Sequence, residues 1–382
     1  MTLTEKNIYQ ANLFSNRLLK NYKQLKKWAR KNKISCYRLY DRDIPEIPLA
    51  VDLYTFLPDE IKTKLEVSNF LDEQNVQISA NTKIGLEMQK DELKRTYLHI
   101  YLYERPYEKE QKDEEDWLLE MKKAASSSLN IDEKNIIIKT RRKQSGNEES
   151  ARNQYTKIET DKHITGFVQE QGQIFKVNLT DYIDTGLFFD HRPLRAEIRK
   201  SCDGKKVLNL FCYTGSFSVY AAQGNAKEVQ SVDLSKTYLD WAKENMKMNE
   251  FSNEKKYFFT RDDVFSFLNR VNAETQNAKS ENFFDIIILD PPTFSNSKRT
   301  ENTLDINKDW PVLIAKCLKI LKTNGILYFS TNSRKLNFKT ELLSETVNLN
   351  NLQIEDITIK TIPEDFRNTK IHRAWKITKV SY

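Results

Sequence analysis

The sequence predicts an α/β protein in which a doubly wound, mainly parallel sheet follows an N-terminal α+β domain. Three observations predict it. From Lys205 onward, apolar strand-like runs alternate regularly with helical stretches, the pattern of a mainly parallel sheet. The run Val207-Leu208-Asn209-Leu210-Phe211-Cys212-Tyr213-Thr214-Gly215-Ser216 reads as a buried strand, a tight turn at Gly215 and the start of a helix, which is how an open sheet presents a small-molecule site. Three acidic residues, Asp233, Asp263 and Asp290, end three strands, and in a doubly wound sheet such ends converge on one crevice. The Gly215 turn lacks the G-x-G-x-x-G and G-K-[ST] spacings that cradle phosphates, so a ligand without phosphates fits it better than a dinucleotide or a nucleoside triphosphate.

At 382 residues the chain exceeds one average domain. The boundaries read as a basic N-terminal helix over 1–34, an α+β domain over 35–183, and the doubly wound domain over 184–382. A composition of 39% hydrophobic, 11% aromatic and 30% charged residues is that of a folded, water-exposed protein. No apolar run approaches a membrane span and Met-Thr-Leu-Thr-Glu-Lys contains no apolar signal core, so the expectation is a cytoplasmic protein with no membrane partner. The four cysteines and four histidines are dispersed, which points to neither a disulfide framework nor a metal site. A net charge of +7 gives a modest bias toward polyanions.

In chain order, residues 12–31 read as a helix with Phe14, Leu18, Tyr22, Leu25 and Ala29 on one face. Arg17, Lys20, Lys23, Lys27, Arg30 and Lys31 lie around the rest of it, either as a solvated face or as RNA phosphate contacts. Short β-like runs follow at 36–40, 50–54, 97–103 and 135–140, with a helical stretch near 116–126. The polar segment 55–94 reads as a long loop or insertion. Lys139, Arg141, Arg142 and Lys143 form a second candidate phosphate contact and open a polar linker over 144–161. A hairpin at 166–171 and 173–179 leads into Asp184 to Arg195. There Asp190 can hold an ammonium group and Arg192 or Arg195 a carboxylate, the two ends of an amino-acid moiety; the competing reading is a salt-bridge knot capping the next helix. Further strands read at 229–233, 256–260, 284–290 and 326–330, with a last pair at 354–361 and 372–380. Helices fall at 236–248, 264–270, 309–321 and 339–349, and Gly325 reads as a helix C-terminal glycine.

Asp233 stands where a carboxylate accepts hydrogen bonds from ribose hydroxyls. Any one of the three strand-end acids alone reads as a helix N-cap, but the three together point to a crevice. The sharpest signal is Asp290-Pro291-Pro292-Thr293-Phe294, where two prolines stiffen the loop that carries the carboxylate and the ring. Phe294 offers a face for a flipped base, and the polar run Ser295 to Arg299 after it reads as a loop tip.

With these residues in view, the sequence resembles the class I S-adenosylmethionine-dependent methyltransferases, which have a Rossmann-like fold. The likeness is greatest to the RlmK half of the bifunctional RlmKL enzymes, which methylates guanine N7 in 23S ribosomal RNA. It is carried by Asn16-Arg17-Leu18, Lys26 to Arg30, Cys36 to Asp41, Val177 to Tyr182, Thr185 to Phe188 with Asp190-His191-Arg192, Leu208 to Ser216, Asp290 to Arg299, Ile362-Pro363, Asp365-Phe366 and Ile371-His372-Arg373. Segment 55–94 is longer and more polar than that family's pattern. The resemblance implies S-adenosylmethionine as cofactor, its methionine end by Tyr213, Thr214 and Gly215, its ribose on Asp233 and its adenine near Asp263. Phe188, Asp190, Arg192, Asn209, Phe211, Ser216, Leu234, Ser235, Asp262, Val264 and Asp290 complete the implied cofactor pocket. Asp290, Pro291, Pro292, Thr293 and Phe294 would carry catalysis, on 23S rRNA or a large-subunit assembly intermediate.

Guanine N7 has a free lone pair, so in-line attack on a sulfonium methyl needs positioning and a suitable field rather than a general base. Cytosine C5 methylation needs a thiolate, and the stretch beyond the fifth strand of the C-terminal sheet, Phe329-Ser330-Thr331-Asn332-Ser333, has none, while Cys212 reads as a packed residue. Enzymes acting on adenine N6 or guanine N2 use a related loop with an aromatic residue where Thr293 stands, which favours N7. The alternative from another class is a noncatalytic RNA-binding factor of ribosome assembly on the same scaffold.

Overall fold

The computed structural model describes residues 3–61, 63–103, 110–141, 162–278, 284–295, 303–344 and 347–380. It divides into two compact units, Met1–Thr185 with Glu364–Arg367, and Gly186–Pro363 with Asn368–Tyr382.

In the first unit, helix α1 (Leu3–Lys31) starts well before residue 12 and is not a separate piece, because Phe14 and Leu18 are fully buried in the unit's core. That core lies against a four-stranded sheet of β1 (Cys36–Asp41), β2 (Leu49–Thr55), β3 (Thr96–Tyr103) and β4 (Ile136–Arg141). The first three strands pair antiparallel in sequence order and β4 joins β3 in parallel. The segment expected as a loop over 55–94 instead folds into α2 (Lys64–Ser79) and α3 (Lys83–Lys94). It escapes a periodicity reading because α2 buries only Val67 and Gln74 and α3 only Gly85, too little for an apolar stripe. Its start was nonetheless written in the chain. Thr63 and Glu66 form a capping box, with the Glu66 amide donating to Thr63 Oγ1 at 3.2 Å and the Thr63 amide to the Glu66 carboxylate at 2.9 Å. Helix α4 (Gln111–Leu129) packs Trp117, Met121 and Ala125 into the same core, and the hairpin β5 (Thr165–Glu170) and β6 (Gln173–Asn178) forms as expected. Arg142, Lys143 and the linker 144–161 lie outside the described residues.

A buried ion pair joins two strands of the first unit, with Asp41 also 3.7 Å from the same guanidinium. The Arg38 guanidinium grips Asp52 with Nε on Oδ1 at 2.5 Å and Nη2 on Oδ2 at 3.1 Å, a two-pronged contact between neighbouring strands. The Arg38 amide donates to Asp365 Oδ2 at 2.9 Å, and the guanidinium lies 4.7 Å from the Phe366 ring centre, so the pair also holds the returning segment Glu364–Arg367.

The second unit is built on a seven-stranded sheet. Its strands are β7 (Lys206–Leu210), β8 (Glu228–Asp233), β9 (Tyr257–Arg261), β10 (Phe284–Leu289), β13 (Leu321–Thr331), β14 (Leu352–Asp356) and β15 (Arg373–Lys379). The order is β14-β15-β13-β10-β7-β8-β9, parallel from β13 to β9, with β15 antiparallel to both of its neighbours. The order reverses between β7 and β10, so the carboxyl ends of these two strands border the crevice where ligands bind in such sheets. The remaining elements are α5 (Arg192–Ser201), α6 (Ser216–Gln223), α7 (Lys236–Met248), α8 (Val264–Ala278), α9 (Ile306–Ile320), α10 (Glu341–Ser344) and the small ladder β11 (Phe294–Ser295) with β12 (Leu304–Asp305). Alternation decides which side chains meet which layer: Leu208, Leu210, Ile287, Leu289, Leu327 and Phe329 enter the core shared with α8 and α9. Gly325 does not end a helix. It lies inside β13, and the left-handed residue there is Asn324, with φ of 61°.

Removing one partner of a buried pair strands the other charge, so Asp52→Ala should cost the protein about 3 to 5 kcal/mol. Urea unfolding read by circular dichroism checks this, and the double variant Arg38→Met, Asp52→Leu should recover most of the loss.

Candidate functional site

The turn after β7 is strained by design of its sequence. Phe211, Tyr213 and Gly215 have φ of 54°, 50° and 74°, three left-handed residues of which two carry side chains. Such conformations cost on the order of 1 to 3 kcal/mol each for non-glycine residues and persist only where the surroundings over-determine them. Here they do. The Cys212 amide donates to Val232 O at 3.0 Å, the Tyr213 amide to Asp233 Oδ2 at 2.9 Å and the Gly215 amide to Cys212 O at 2.8 Å. Thr214 Oγ1 donates to Gly186 O at 2.6 Å, and Asn245 Nδ2 of α7 donates to Thr214 O at 2.8 Å. A Cβ on Gly215 would stand 2.7 Å from the Ala242 Cβ, so glycine is needed there for space as well as for φ. Beside the turn, the rings of Phe188 and Tyr213 lie 5.3 Å apart and those of Tyr213 and Tyr238 4.5 Å apart, with Phe188 40% exposed.

Asp233, at the end of β8, faces this turn. Its Oδ1 accepts from the Ser235 amide at 2.8 Å and its Oδ2 from the Tyr213 amide. Burial pushes the Asp233 carboxyl up to about 6, even though the amides of Ser235, Tyr213 and Leu234 favour its ionised form. Holding that charge costs on the order of 3 kcal/mol at neutral pH, which further hydrogen-bond donors would relieve.

Across the switch point, Asp290 follows β10. Its Oδ1 accepts from Ser330 Oγ of β13 at 2.6 Å, and its Oδ2 lies 3.5 Å from His191 Nε2. Thr293 Oγ1 donates to Asn332 Oδ1 at 2.6 Å, so the Pro-Pro loop is tied to the residues after β13. Phe294 is half-buried and pairs with Asp305 in the small ladder. Asn296 to Arg299 lie outside the described residues.

Two histidines far apart in sequence meet beside this carboxylate. The His191 and His372 rings stack with centres 4.8 Å apart and planes 19° apart. His372 Nδ1 lies 3.3 Å from Asp190 Oδ2 and its Nε2 2.9 Å from Thr361 Oγ1. Asp190, His191 and His372 thus bring three potential metal-ligand atoms within 4.8 Å of one another, although the expectation from dispersed histidines was that none would cluster. Burial raises the Asp190 carboxyl, but His191, His372 and Arg195 outweigh it and hold the group well below the usual carboxylate range.

A family model described as S-adenosylmethionine-dependent methyltransferase matches residues 87–351. The chain belongs to this family. It is 39% identical over 371 residues to the ribosomal RNA large subunit methyltransferase K/L of Pseudomonas fluorescens, covering 96% of this chain and 40% of that protein. It is 38% identical over 368 residues to the K/L methyltransferase of Pseudomonas putida, covering 96% and 42%. The chain therefore spans about two fifths of the length of these relatives. Among solved structures, a protein of the S-adenosylmethionine-dependent methyltransferase type from Streptococcus mutans is similar with a TM-score of 0.64 at 20% identity, over 96% of this chain and 81% of that one. A second, SMU.776 complexed with SAH, gives a TM-score of 0.62 at 20% identity with the same coverage. At that identity the likeness is one of fold.

The methyltransferase fold brings Phe188, Tyr213, Thr214, Gly215 and Asp233 together, and Asp190 and Asp290 around His191. Ser216 opens α6, Leu234 follows β8, and Ser235 caps α7 by accepting from the Tyr238 amide. The other predicted residues make the following contacts within the protein. Asn209 is 1% exposed and donates to Ser218 Oγ at 2.8 Å, fixing α6 on its strand instead of facing the crevice. Asp263 Oδ1 accepts from the Ser266 amide at 3.0 Å, the plain helix-cap role, and Asp262 pairs with Arg270 at 2.6 Å. The Val264 side chain belongs to the core, Phe211 packs against that core, and Arg192 is 1% exposed with its guanidinium near the Phe189 ring. Pro291 is buried and Pro292 half-buried.

Gly215→Ala should destabilise this methyltransferase by roughly 2 to 4 kcal/mol, the sum of left-handed strain and overpacking against Ala242. Thermal unfolding measures it, and a loss below about 0.5 kcal/mol would contradict the account of the turn.

Proposed function

We propose that this methyltransferase moves the methyl group of S-adenosylmethionine to a base of 23S ribosomal RNA, at guanine N7. The observation that carries the chemistry is the Asp290 carboxylate, held on a Pro-Pro loop by Ser330, with hydroxyl and amide groups where a nucleophilic thiol would be required. All four cysteines are buried. Burial pushes the Cys202 thiol up to about 12 and, with Asp233, the Cys212 thiol well up, so neither supplies a thiolate for attack on a pyrimidine. The relatives named as ribosomal RNA large subunit methyltransferases support the substrate class.

The step asks little of acid–base groups. The N7 lone pair attacks the methyl carbon in line, the carbon–sulfur bond breaks with its electrons going to sulfur, and the products are S-adenosylhomocysteine and a cationic 7-methylguanine. No proton leaves. Asp290 beside the base edge stabilises the positive charge that develops there, while Asp233 takes the ribose hydroxyls and the Tyr213 to Gly215 turn the methionine end. Thr293 stands where the resembling exocyclic-amine enzymes carry an aromatic ring, which supports N7 over adenine N6 and guanine N2. The first unit serves RNA capture in this reading. Lys20, Lys23, Lys27 and Lys31 are exposed along one face of α1, whereas Arg30 is engaged with Glu92 at 2.9 Å. The competing reading as a noncatalytic assembly factor leaves the strained turn and the costly Asp233 charge without a use.

Two measurements test this. Nucleoside mass spectrometry of 23S rRNA from cells lacking the gene should show loss of one 7-methylguanosine, restored by the wild-type chain and not by Asp290→Ala; loss of 5-methylcytidine or N2-methylguanosine instead would overturn the acceptor assignment. Cofactor affinity should depend on Asp233 being ionised, because ribose hydroxyls donate to a carboxylate. With the Asp233 carboxyl pushed up to about 6, binding should be strong above pH 6 and weaken below it, by roughly tenfold from pH 7 to pH 5. Calorimetric titration across that range, with Asp233→Asn as the comparison, reads the dependence.

A further inference from the structure

His191 is a buried side chain that the transfer step just described does not use. Its ring is clamped between His372, stacked at 4.8 Å, and Phe217, 5.7 Å away. His372 is itself pinned, by Asp190 on Nδ1 and Thr361 on Nε2. The imidazole plane therefore has little freedom, and it aims Nε2 at two carboxylates, Asp290 at 3.5 Å and Asp190 at 3.9 Å. Nδ1 is buried with no hydrogen-bond partner. Two acceptors on one side and none on the other select the tautomer with its proton on Nε2.

We propose that His191 is the positioning residue for Asp290: its Nε2–H orients the carboxylate oxygen that Ser330 leaves free, so that the charge stands beside the acceptor base. The inference rests on the reading of Asp290 as the base-facing acid. The 3.5 Å separation is long for a hydrogen bond, as catalytic contacts often are until substrate binding tightens them. The groups facing the ring are Asp190, Asp290, His372 and Arg195. Burial, helped by His372 and Arg195, outweighs the two carboxylates and holds the imidazole below its ordinary range, so at neutral pH it is an uncharged donor. That matters for the chemistry: a neutral donor fixes Asp290 without cancelling its charge, whereas an imidazolium would form an ion pair and remove the field that favours a cationic product.

Three variants separate this from a packing role. His191→Phe keeps a ring between His372 and Phe217 but has no donor; His191→Gln places an amide N–H near the Nε2 position; His191→Asn places one near Nδ1, out of reach of Asp290. With S-adenosylmethionine and 23S rRNA, His191→Phe and His191→Asn should lose roughly 10- to 100-fold in kcat. Cofactor affinity should stay within about threefold, and His191→Gln should recover most of the rate. A His191→Phe enzyme as fast as wild type, or a His191→Gln enzyme as slow as His191→Asn, overturns the proposal. Carbon-13 NMR of the Asp290 carboxyl in the same proteins at neutral pH needs no substrate. Losing the donor should move the carboxyl resonance in His191→Phe and His191→Asn but not in His191→Gln. An unmoved resonance in all three overturns the proposal even if the RNA substrate is misassigned, whereas a moved resonance with no methyl transfer by wild type to rRNA faults only the substrate reading. Should His191→Phe fail to fold, the comparison of His191→Gln with His191→Asn decides both readouts.

Discussion

The Tyr213 amide donating to Asp233 is the contact on which the second unit's site depends. It joins the end of β7 to the end of β8 across the sheet, and it holds a turn whose residues would otherwise leave the left-handed region. The dependence is mutual. The turn needs a fixed acceptor to remain folded over Gly215, and Asp233 needs backbone donors to remain charged in a buried position. A site made this way stores unfavourable free energy while empty, in backbone strain and in an under-solvated carboxylate, and a ligand rich in hydroxyl donors releases the second part.

Three carboxylates sit within the same part of the fold and are treated in three ways. Asp233 meets only backbone amides, and burial wins. Asp190 meets His191, His372 and Arg195, and the basic groups win. Asp290 takes one hydroxyl from Ser330 and faces a buried imidazole. Environments that push similar groups apart are how one crevice assigns different tasks to the same side chain. In the proposed reading the division is between an acceptor for ribose hydroxyls, a strut that locks a histidine pair, and a charge that faces the substrate.

The fold was legible where the periodicity was strong. The runs at 207–210 and 284–289 are mostly apolar and 229–233 carries Val229 and Val232 between polar residues, each bounded by turn signals, and they form the parallel centre of the sheet. Segment 55–94 was misread because its helices bury so little that the polar faces dominate the pattern, and the capping box at Thr63 and Glu66 was the signal that could have found them. At the candidate site, Asp233 and Asp290 stand at the strand ends where the sequence puts them, because strand ends of a doubly wound sheet converge. Asp263 accepts from the Ser266 amide, and a strand-end aspartate can cap a helix and face the crevice at once. His191 and His372 are 181 positions apart in the chain (372 − 191), and no local pattern could announce that β15 returns beside β13 and brings them into contact. Ser330 and Asn332 were read only for the thiol they lack, yet they support Asp290 and Thr293.

In the proposed mechanism the charge state of His191 decides how far Asp290 can act. Two unit charges about 4 Å apart near a protein surface interact by roughly 4 kcal/mol. Only the fraction of positive charge that would have reached the base at the transition state counts toward rate. At half transfer the carboxylate is worth about 2 kcal/mol, a factor of roughly 30. An imidazolium beside Asp290 would oppose that attraction from nearly the same position and leave little of it. Burying the ring against His372 and Phe217 makes the charged form unfavourable and so keeps the donor while preserving the field. The unpartnered Nδ1 is consistent with this arrangement: as a bare lone pair it costs some desolvation, but a proton there would bring with it a buried positive charge.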